Sequence, residues 1–217
     1  MKRILTTTAL AAALAAGGSW FLNPNAQPPM GAASAQDATP ATVTDMVLGA
    51  ADAPVTVIEY GSFTCPHCAA FDENVFPQIK EDYIDTGKVK FIFREAYFNK
   101  YDMWASMMAR CGGEMKYYGI VDMIYSTQDE WARQSSEQGV ADAIRKMGLQ
   151  AGIDKDQLDA CMSDGDQLQA LVGWYQENMT RDGFNSTPSF MIDGELNSNM
   201  SYDEFAEKLD ARIEAAN

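Results

Sequence analysis

The sequence predicts an α/β fold that is interrupted by an all-helical insertion. Short runs of β-branched and aromatic residues, typical of buried strands, occur at residues 53–63, 88–95 and 188–196. Between the second and third runs, apolar residues instead recur at the three- and four-residue spacing of amphipathic helices. We therefore assign residues 46–99 and 182–217 to the α/β domain and residues 100–181 to the insertion.

The first two predicted strands flank a helix that begins at a Cys-Pro-His-Cys motif. The run "APVTVIEYGSF" ends at Phe63, and the motif occupies residues 65–68. The helix is predicted to continue to about Thr86 with a bend at Pro77, because proline lacks the N–H that a helix interior needs. The run "KVKFIFRE", which ends at Glu95, is the second strand.

The first insertion helix carries an apolar stripe that runs from Trp104 to Cys111 through Met107 and Met108, and Gly112-Gly113 is predicted to end it. More helices are expected after it. The second helix has an apolar stripe from Tyr117 to Ile124, and the third begins at a capping box of Ser135 with Gln138 and ends at Gly148. A short fourth helix follows Asp154 and presents Leu158 and Cys161. The last has an apolar stripe from Leu168 to Tyr175 and ends at Gly183.

The chain is predicted to close with a hairpin and a helix. "PSFMIDGEL" is typical of a strand that enters a tight turn at Asp193-Gly194. A second capping box, Ser201 with Glu204, precedes a helix whose apolar face includes Phe205, Leu209 and Ile213. This helix belongs to the α/β domain.

Residues 1–35 have the pattern of an export segment. Lys2 and Arg3 precede an Ala/Leu-rich run from Ile4 to about Leu22, and an A-x-A site follows at residues 33–35. Two interpretations stay open, a cleaved signal peptide and a retained membrane anchor, and residues 36–45 are predicted to be a flexible tether. Both interpretations put the folded part outside the cytoplasm, where disulfides persist.

The chain is strongly acidic, with a formal net charge of −15 over 217 residues. Such a surface repels phosphate backbones, so the composition argues against nucleic-acid binding. A hydrophobic fraction of 47% indicates a globular protein with a sizeable core.

The Cys-Pro-His-Cys motif follows a buried strand and opens a helix, which is a redox-motif context. Cys65 is predicted at the N-cap and Pro66 at the first helical position, where its missing N–H costs nothing. The N–H groups of His67 and Cys68 then point at the Cys65 sulfur together with the positive end of the helix dipole. This arrangement favours the thiolate of Cys65, with Cys68 one turn deeper and within disulfide reach.

His67 is the only histidine of the chain, and it lies between the two thiols. An imidazole there adds a hydrogen-bond donor, and when protonated a positive charge, next to the Cys65 sulfur. Because this sulfur is negative only in the reduced state, the imidazole stabilises that state. Lowering a thiol pKa by about 3 is worth roughly 4 kcal/mol, or on the order of 90 mV for a two-electron couple. The alternative is a surface histidine without a role.

The stretch "VIEYGSFTCPHC" together with the distant "STPSFMIDG" resembles the DsbA-type thiol:disulfide oxidoreductases. The resemblance covers about residues 46–217 and implies a thioredoxin-like fold with a helical insertion. It further implies a periplasmic, monomeric oxidase that donates its Cys65–Cys68 disulfide to exported proteins and is reoxidised by a quinone-linked membrane partner. The dithiol itself carries the electrons, so no cofactor and no metal are expected.

The resemblance also assigns roles to three residues outside the motif. Thr187-Pro188 matches the family's cis-proline loop, whose backbone would receive an extended substrate peptide. An ordinary trans proline at a strand edge is the alternative. Glu59 interrupts an apolar strand and matches the acid that the family holds beneath the deeper cysteine, where it could take the Cys68 proton. A solvated strand residue is the alternative for Glu59.

The sequence departs from some relatives opposite Glu59. Where they place a lysine, this chain has Phe93, and the neighbouring Arg94 should point to the other face of the strand. Glu59 is therefore predicted to be unpaired and partly protonated.

Cys111 and Cys161 each lie on the apolar stripe of a helix. In an exported chain with an even number of cysteines we expect a structural disulfide between them, worth on the order of 4 kcal/mol in the chain-entropy model. Two packed free thiols and a second redox pair are the alternatives.

Three other functions compete with the oxidase interpretation. A zinc site is disfavoured because the chain has one C-x-x-C and one histidine. A copper-handling role has weak support from the 13 methionines, most of which fit helix stripes. A disulfide isomerase or reductase on the same fold is the nearer alternative, but the few residues before the first strand leave little room for an added N-terminal module.

Overall fold

The computed structural model describes residues 42–216. The predicted export segment, residues 1–35, and most of the predicted tether lie outside the described residues. Among the residues described, no helix combines the length and the apolar composition that crossing a bilayer requires.

Within residues 42–216 the sheet has five strands, in the order β1-β3-β2-β4-β5. Their bounds are Met46–Leu48 (β1), Val55–Gly61 (β2), Val89–Glu95 (β3), Ser189–Ile192 (β4) and Glu195–Ser198 (β5). The β2 and β3 strands are parallel, and every other neighbouring pair is antiparallel. The predicted α/β class with a helical insertion is confirmed.

Helices cover the sheet and fill the long connection between β3 and β4. Their bounds are Pro66–Asn74 (α1), Phe76–Ile79 (α2), Lys100–Cys111 (α3), Glu114–Ser126 (α4), Gln128–Trp131 (α5), Glu137–Gln150 (α6), Lys155–Met162 (α7), Gly165–Asp182 (α8) and Tyr202–Ala216 (α9). One π-helical turn, Lys80–Ile84, follows α2. The bounds of the two predicted domains stay a prediction, although α3 to α8 occupy almost the whole predicted insertion.

The helix after the Cys-Pro-His-Cys motif is divided at a single residue. It ends at Asn74, and Val75, with φ −117° and ψ −48°, separates it from α2 while its N–H still donates to the Phe71 carbonyl. Pro77 then lies in the first turn of α2, where its missing N–H is tolerated.

The predicted capping box of Ser135 with Gln138 is wrong by one residue. The N-cap of α6 is Ser136, whose hydroxyl accepts a hydrogen bond from the Gly139 N–H at 3.1 Å. The predicted end at Gly148 is also wrong, because α6 continues to Gln150. A Cβ at Gly148 would lie 3.0 Å from the Leu158 side chain, so this glycine permits close helix packing and does not mark a turn.

The core that supports the start of α1 is aromatic. Phe71 on α1 packs against Phe190 on β4, with ring centroids 4.6 Å apart, and against Phe205 on α9. At the end of β2, Gly61 allows the ring of Phe93 to approach so closely that a Cβ would lie 2.4 Å from it. These contacts pack α1 against β4 and α9, and the end of β2 against β3.

A buried ion pair ties the insertion to the sheet. The fully buried Glu95, at the end of β3, accepts from the Arg110 guanidinium of α3 at 2.7 Å through both carboxylate oxygens. Tyr117 of α4 donates to the same carboxylate at 2.7 Å. Because two charges and a hydroxyl satisfy one another, the burial cost of the carboxylate is offset.

Candidate active site

Cys65 lies where β2 passes into α1. It is the N-cap of α1, with extended backbone at φ −84° and ψ 118°, and Pro66 occupies the first helical turn. Cys68, one turn later, is completely buried, whereas Cys65 is partly exposed. Both are free thiols. The sulfur of Cys65 is therefore the one that a substrate can reach.

The surroundings of Cys65 stabilise its thiolate. They lower the pKa of the Cys65 thiol from 9.0 to about 5. Hydrogen bonding by the Cys68 thiol is the largest cause, and the backbone N–H groups of Cys68 and His67 add to it against the effect of burial. Burial in turn raises the pKa of Cys68 far above its ordinary value, so Cys68 stays protonated. The two thiols of one motif are thus held in opposite protonation states.

The loop before β4 lies against Cys65. The Thr187–Pro188 peptide bond is cis. The Cys65 Sγ lies 3.4 Å from the Thr187 carbonyl oxygen, to which the thiol donates when it is protonated. Pro188 is buried. The Thr187 hydroxyl is also buried and has no hydrogen-bond partner among the described residues.

His67 is exposed on the first turn of α1. Its backbone N–H is one of the groups that lower the pKa of Cys65. The tuning role of its imidazole stays a prediction.

Glu59 lies beneath the motif in the middle of β2 and is 4% exposed. Its neighbours in register are Phe93 on β3 and Phe190 on β4. Burial, with a smaller contribution from Asp72, raises the pKa of the Glu59 carboxyl well above its ordinary value. One of its carboxyl oxygens, Oε1, has no hydrogen-bond partner among the described residues. Burial therefore favours the neutral form of this carboxyl over the carboxylate.

Phe93 pairs in register with Glu59, as predicted for the position at which the resemblance places a lysine in some relatives. Arg94 takes part in a different cluster, in which its guanidinium binds Asp45 at 2.8 Å.

Two residues of the insertion hold the loop that carries Cys65. The buried Gln128 of α5 donates from Nε2 to the carbonyls of Phe63, at 2.8 Å, and Cys65, at 3.0 Å. Asp102 of α3 accepts from the Thr64 N–H at 2.9 Å, and its carboxylate also binds the Ser62 hydroxyl and the Phe98 N–H. Sequence analysis missed both. Asp102 had a local signal, because it closes a capping box with Asn99, but Gln128 had none.

Asp72 is a third missed residue. It follows Cys68 by one helical turn on α1 and is partly buried. Burial, with a further contribution from Asp122 of α4, raises the pKa of the Asp72 carboxyl to about 7.

Cys111 and Cys161 form a disulfide in the structure, with their Cα atoms 6.0 Å apart. The bond joins the end of α3 to α7, remote in sequence from the Cys-Pro-His-Cys motif. Within the described part of the chain, no group of three or more His, Cys, Asp or Glu side chains is arranged to hold a metal ion.

The fold and the site together define a thioredoxin-like protein with a dithiol at a helix start and a cis-proline beside it. The family model described as "Thioredoxin" matches residues 41–211. The chain belongs to this family.

Individual relatives specify the kind of thioredoxin-like protein that this chain resembles. A relative from Rickettsia bellii, named a protein-disulfide oxidoreductase, is 33% identical over 171 residues, which are 78% of this chain and 65% of the relative. "Disulfide bond formation protein D" from Bacillus subtilis is 51% identical over 53 residues, 24% of each chain. The crystal structure of alpha-DsbA1 from Wolbachia pipientis superposes with a TM-score of 0.75 at 25% identity, covering 81% of this chain and 94% of that one.

The resemblance to DsbA-type proteins is thereby confirmed. The chain spans 60% to 65% of the length of its rickettsial relatives.

Proposed function

We propose that the protein is a thiol:disulfide oxidoreductase that oxidises exported polypeptides with its Cys65–Cys68 disulfide. The observation that carries the proposal is the unequal pair of thiols at the start of α1. Cys65 is accessible and has a pKa of about 5, whereas Cys68 is buried and stays protonated. A stabilised Cys65 thiolate favours the dithiol state, which makes the disulfide a good oxidant.

The reaction begins when a substrate thiolate attacks the Cys65 sulfur of the disulfide. The Cys65–Cys68 bond breaks, a mixed disulfide forms at Cys65, and Cys68 leaves as a thiolate that takes up a proton, with Glu59 beneath it. A second substrate thiolate then attacks the substrate sulfur of the mixed disulfide, and Cys65 leaves as the stabilised thiolate. Two electrons pass from the substrate to the protein.

The site supports binding of an extended peptide. Thr187 contacts Cys65 and directly precedes Pro188 and β4, so a substrate strand that pairs with the Thr187 backbone brings its cysteine to the Cys65 sulfur. Such pairing recognises backbone and therefore accepts many sequences. Pro66 and His67 complete the helix start that tunes the disulfide.

Location and partners follow from the same proposal. A donor of disulfides works where disulfides persist, in agreement with an exported chain whose leader is cleaved or retained. Each cycle leaves a dithiol, so an oxidising partner must take two electrons back. We propose that this partner is a membrane protein linked to quinone. We propose that the protein acts as a monomer.

The experiment that tests the function mixes the oxidised protein with a reduced, unfolded protein substrate and, separately, with the same substrate carrying scrambled disulfides. We expect rapid, stoichiometric loss of thiols from the reduced substrate and little rescue of the scrambled one. The Cys65→Ala variant is the control. Efficient rescue with little oxidation would make the protein an isomerase. Stoichiometric copper binding without thiol turnover would make it a copper-handling protein.

A further inference from the structure

We propose that Tyr60 positions the loop that receives the substrate peptide, residues 183–188, which we call the Pro188 loop. The proposal rests on the oxidoreductase function and deepens it, because it names a residue that controls the affinity for a peptide from the opposite face of the sheet. Tyr60 acts through the loop and not on the reacting sulfurs, so it is a positioning residue.

Tyr60 follows Glu59 on β2, but the two side chains face opposite sides of the sheet, since successive side chains of a strand alternate between its faces. Glu59 lies beneath the motif. Tyr60 is completely buried in a small apolar cluster with Ala96 and Phe184, separate from the main core that contains the motif. An effect of Tyr60 on the reaction therefore has to pass through the chain segments that Tyr60 contacts.

Tyr60 contacts both ends of the Pro188 loop. At the first end, its ring stacks on Phe184 with centroids 3.9 Å apart and ring planes 11° apart. Its hydroxyl donates to the carboxylate of Asp182, the last residue of α8. At the other end, Tyr60 pairs in register with Ser189, the first residue of β4, which directly follows Pro188. One residue therefore fixes the loop where it leaves α8 and where it enters the sheet.

Charged groups hold the Tyr60 hydroxyl in place. The Arg94 guanidinium donates to it from Nη1 at 2.9 Å, and Arg94 is itself fixed by two hydrogen bonds of 2.8 Å to the Asp45 carboxylate. Burial raises the pKa of Tyr60 to about 12, so the hydroxyl keeps the proton that it donates to Asp182. Hydrogen bonds to ionised groups are the stronger kind, and this one joins the end of α8 to the centre of the sheet.

The middle of the Pro188 loop has less support than its ends. Phe184 and Pro188 are buried, whereas residues 185–186 between them are exposed. The loop places the Thr187 carbonyl oxygen 3.4 Å from the Cys65 sulfur. A peptide that pairs with the Thr187 backbone needs the loop in this position, but a small thiol needs only access to the Cys65 sulfur. Loss of the Tyr60 hydroxyl should therefore weaken peptide binding and spare the reaction with a small thiol.

The test mixes the oxidised full-length chain with a reduced, extended peptide that carries two cysteines and, separately, with dithiothreitol. The two thiols of each substrate become a disulfide while Cys65–Cys68 becomes a dithiol, and quenching with mass analysis gives the limiting rate and the half-saturating concentration. In Tyr60→Phe, which keeps the ring but loses the hydroxyl, we expect the half-saturating peptide concentration to rise on the order of tenfold. The limiting rate and the dithiothreitol reaction should stay within about twofold of the wild type.

Substitutions of Asp182 test the other partner of the same hydrogen bond. Asp182→Ala should reproduce the effect of Tyr60→Phe. Asp182→Asn still offers an oxygen to the Tyr60 hydroxyl and should restore most of the affinity for the peptide. The double variant Tyr60→Phe/Asp182→Ala should be no worse than either single variant, because both substitutions remove one and the same contact.

The matched control is Tyr83→Phe, which removes the hydrogen bond of another buried tyrosine to an aspartate, Asp210, at 3.0 Å. It should leave both reactions unchanged. The proposal is overturned if Tyr60→Phe and Asp182→Ala keep the wild-type affinity for the peptide, if they slow both reactions equally, or if Tyr83→Phe weakens peptide binding as much. Should Tyr60→Phe fold poorly, Asp182→Ala and Asp182→Asn decide. A wild-type protein that oxidises neither substrate would refute the oxidoreductase function itself.

Discussion

Replacement of Cys65 by alanine is expected to reduce oxidation of a reduced substrate to the uncatalysed rate. The only other thiol of the motif, Cys68, is completely buried and its pKa is raised by burial, so it offers neither access nor a thiolate. Replacement of Cys68 should also stop turnover, but only after the mixed disulfide at Cys65 has formed. The variant keeps a reactive Cys65 and forms mixed disulfides that no internal thiol can resolve.

Mass spectrometry after incubation with a disulfide peptide separates the two variants. Cys68→Ala should carry one peptide on Cys65, and Cys65→Ala should carry none. The double replacement of Cys111 and Cys161 is the matched control, because it removes two cysteines that form a separate disulfide. It should lose stability but keep oxidase turnover. Retention of turnover by Cys65→Ala would refute the assignment of the reacting sulfur.

The second large effect concerns stability. The reduced protein is expected to gain free energy of unfolding relative to the oxidised protein as the pH rises from 5 to 7. The folded pKa of Cys65 is about 5 and its ordinary value is 9.0, so between these pH values the unfolded chain holds a proton that the folded one has lost. Stability therefore rises with pH over this range and is lost as the pH falls to 5. The disulfide form has no thiol at residue 65 to titrate.

Two pH units correspond to at most about 3 kcal/mol of unfolding free energy. Because Cys65 is partly exposed and solvent screens its interactions, we expect roughly 1–2 kcal/mol. Denaturant unfolding of both redox forms at pH 5 and pH 7 measures the difference. In reduced Cys65→Ser this pH-dependent gain should vanish. If the reduced and oxidised proteins differed in free energy of unfolding by the same amount at both pH values, the prediction would be contradicted.

Much of the fold could be predicted because its signals are local. The short apolar runs of the strands, the three- and four-residue spacing of the helices, the Asp193-Gly194 turn and the Ser201–Glu204 capping box each lie within a few residues. The motif likewise indicated the N-cap position of Cys65, since Pro66 suits only the first helical turn. β1 was missed because three residues are too few for a pattern, and its partner Phe91–Phe93 is far along the chain.

The residues that surround and position the two motif cysteines were missed because their roles depend on tertiary contacts. Gln128 reaches the Cys65 carbonyl from a four-residue helix that is 63 residues away in sequence. Asp72 looked like an ordinary surface acid of an amphipathic helix, and only packing reveals that it borders a small cavity that Glu59 also lines. Glu59 itself was recognised because a carboxyl in an apolar strand is locally anomalous.

Ultraviolet titration of the thiolate in the reduced protein tests the central claim, that the helix start holds Cys65 as an anion. We predict that one thiolate appears with a midpoint near pH 5 and is absent from Cys65→Ser. A midpoint near 9, the ordinary value for a cysteine thiol, would contradict the account.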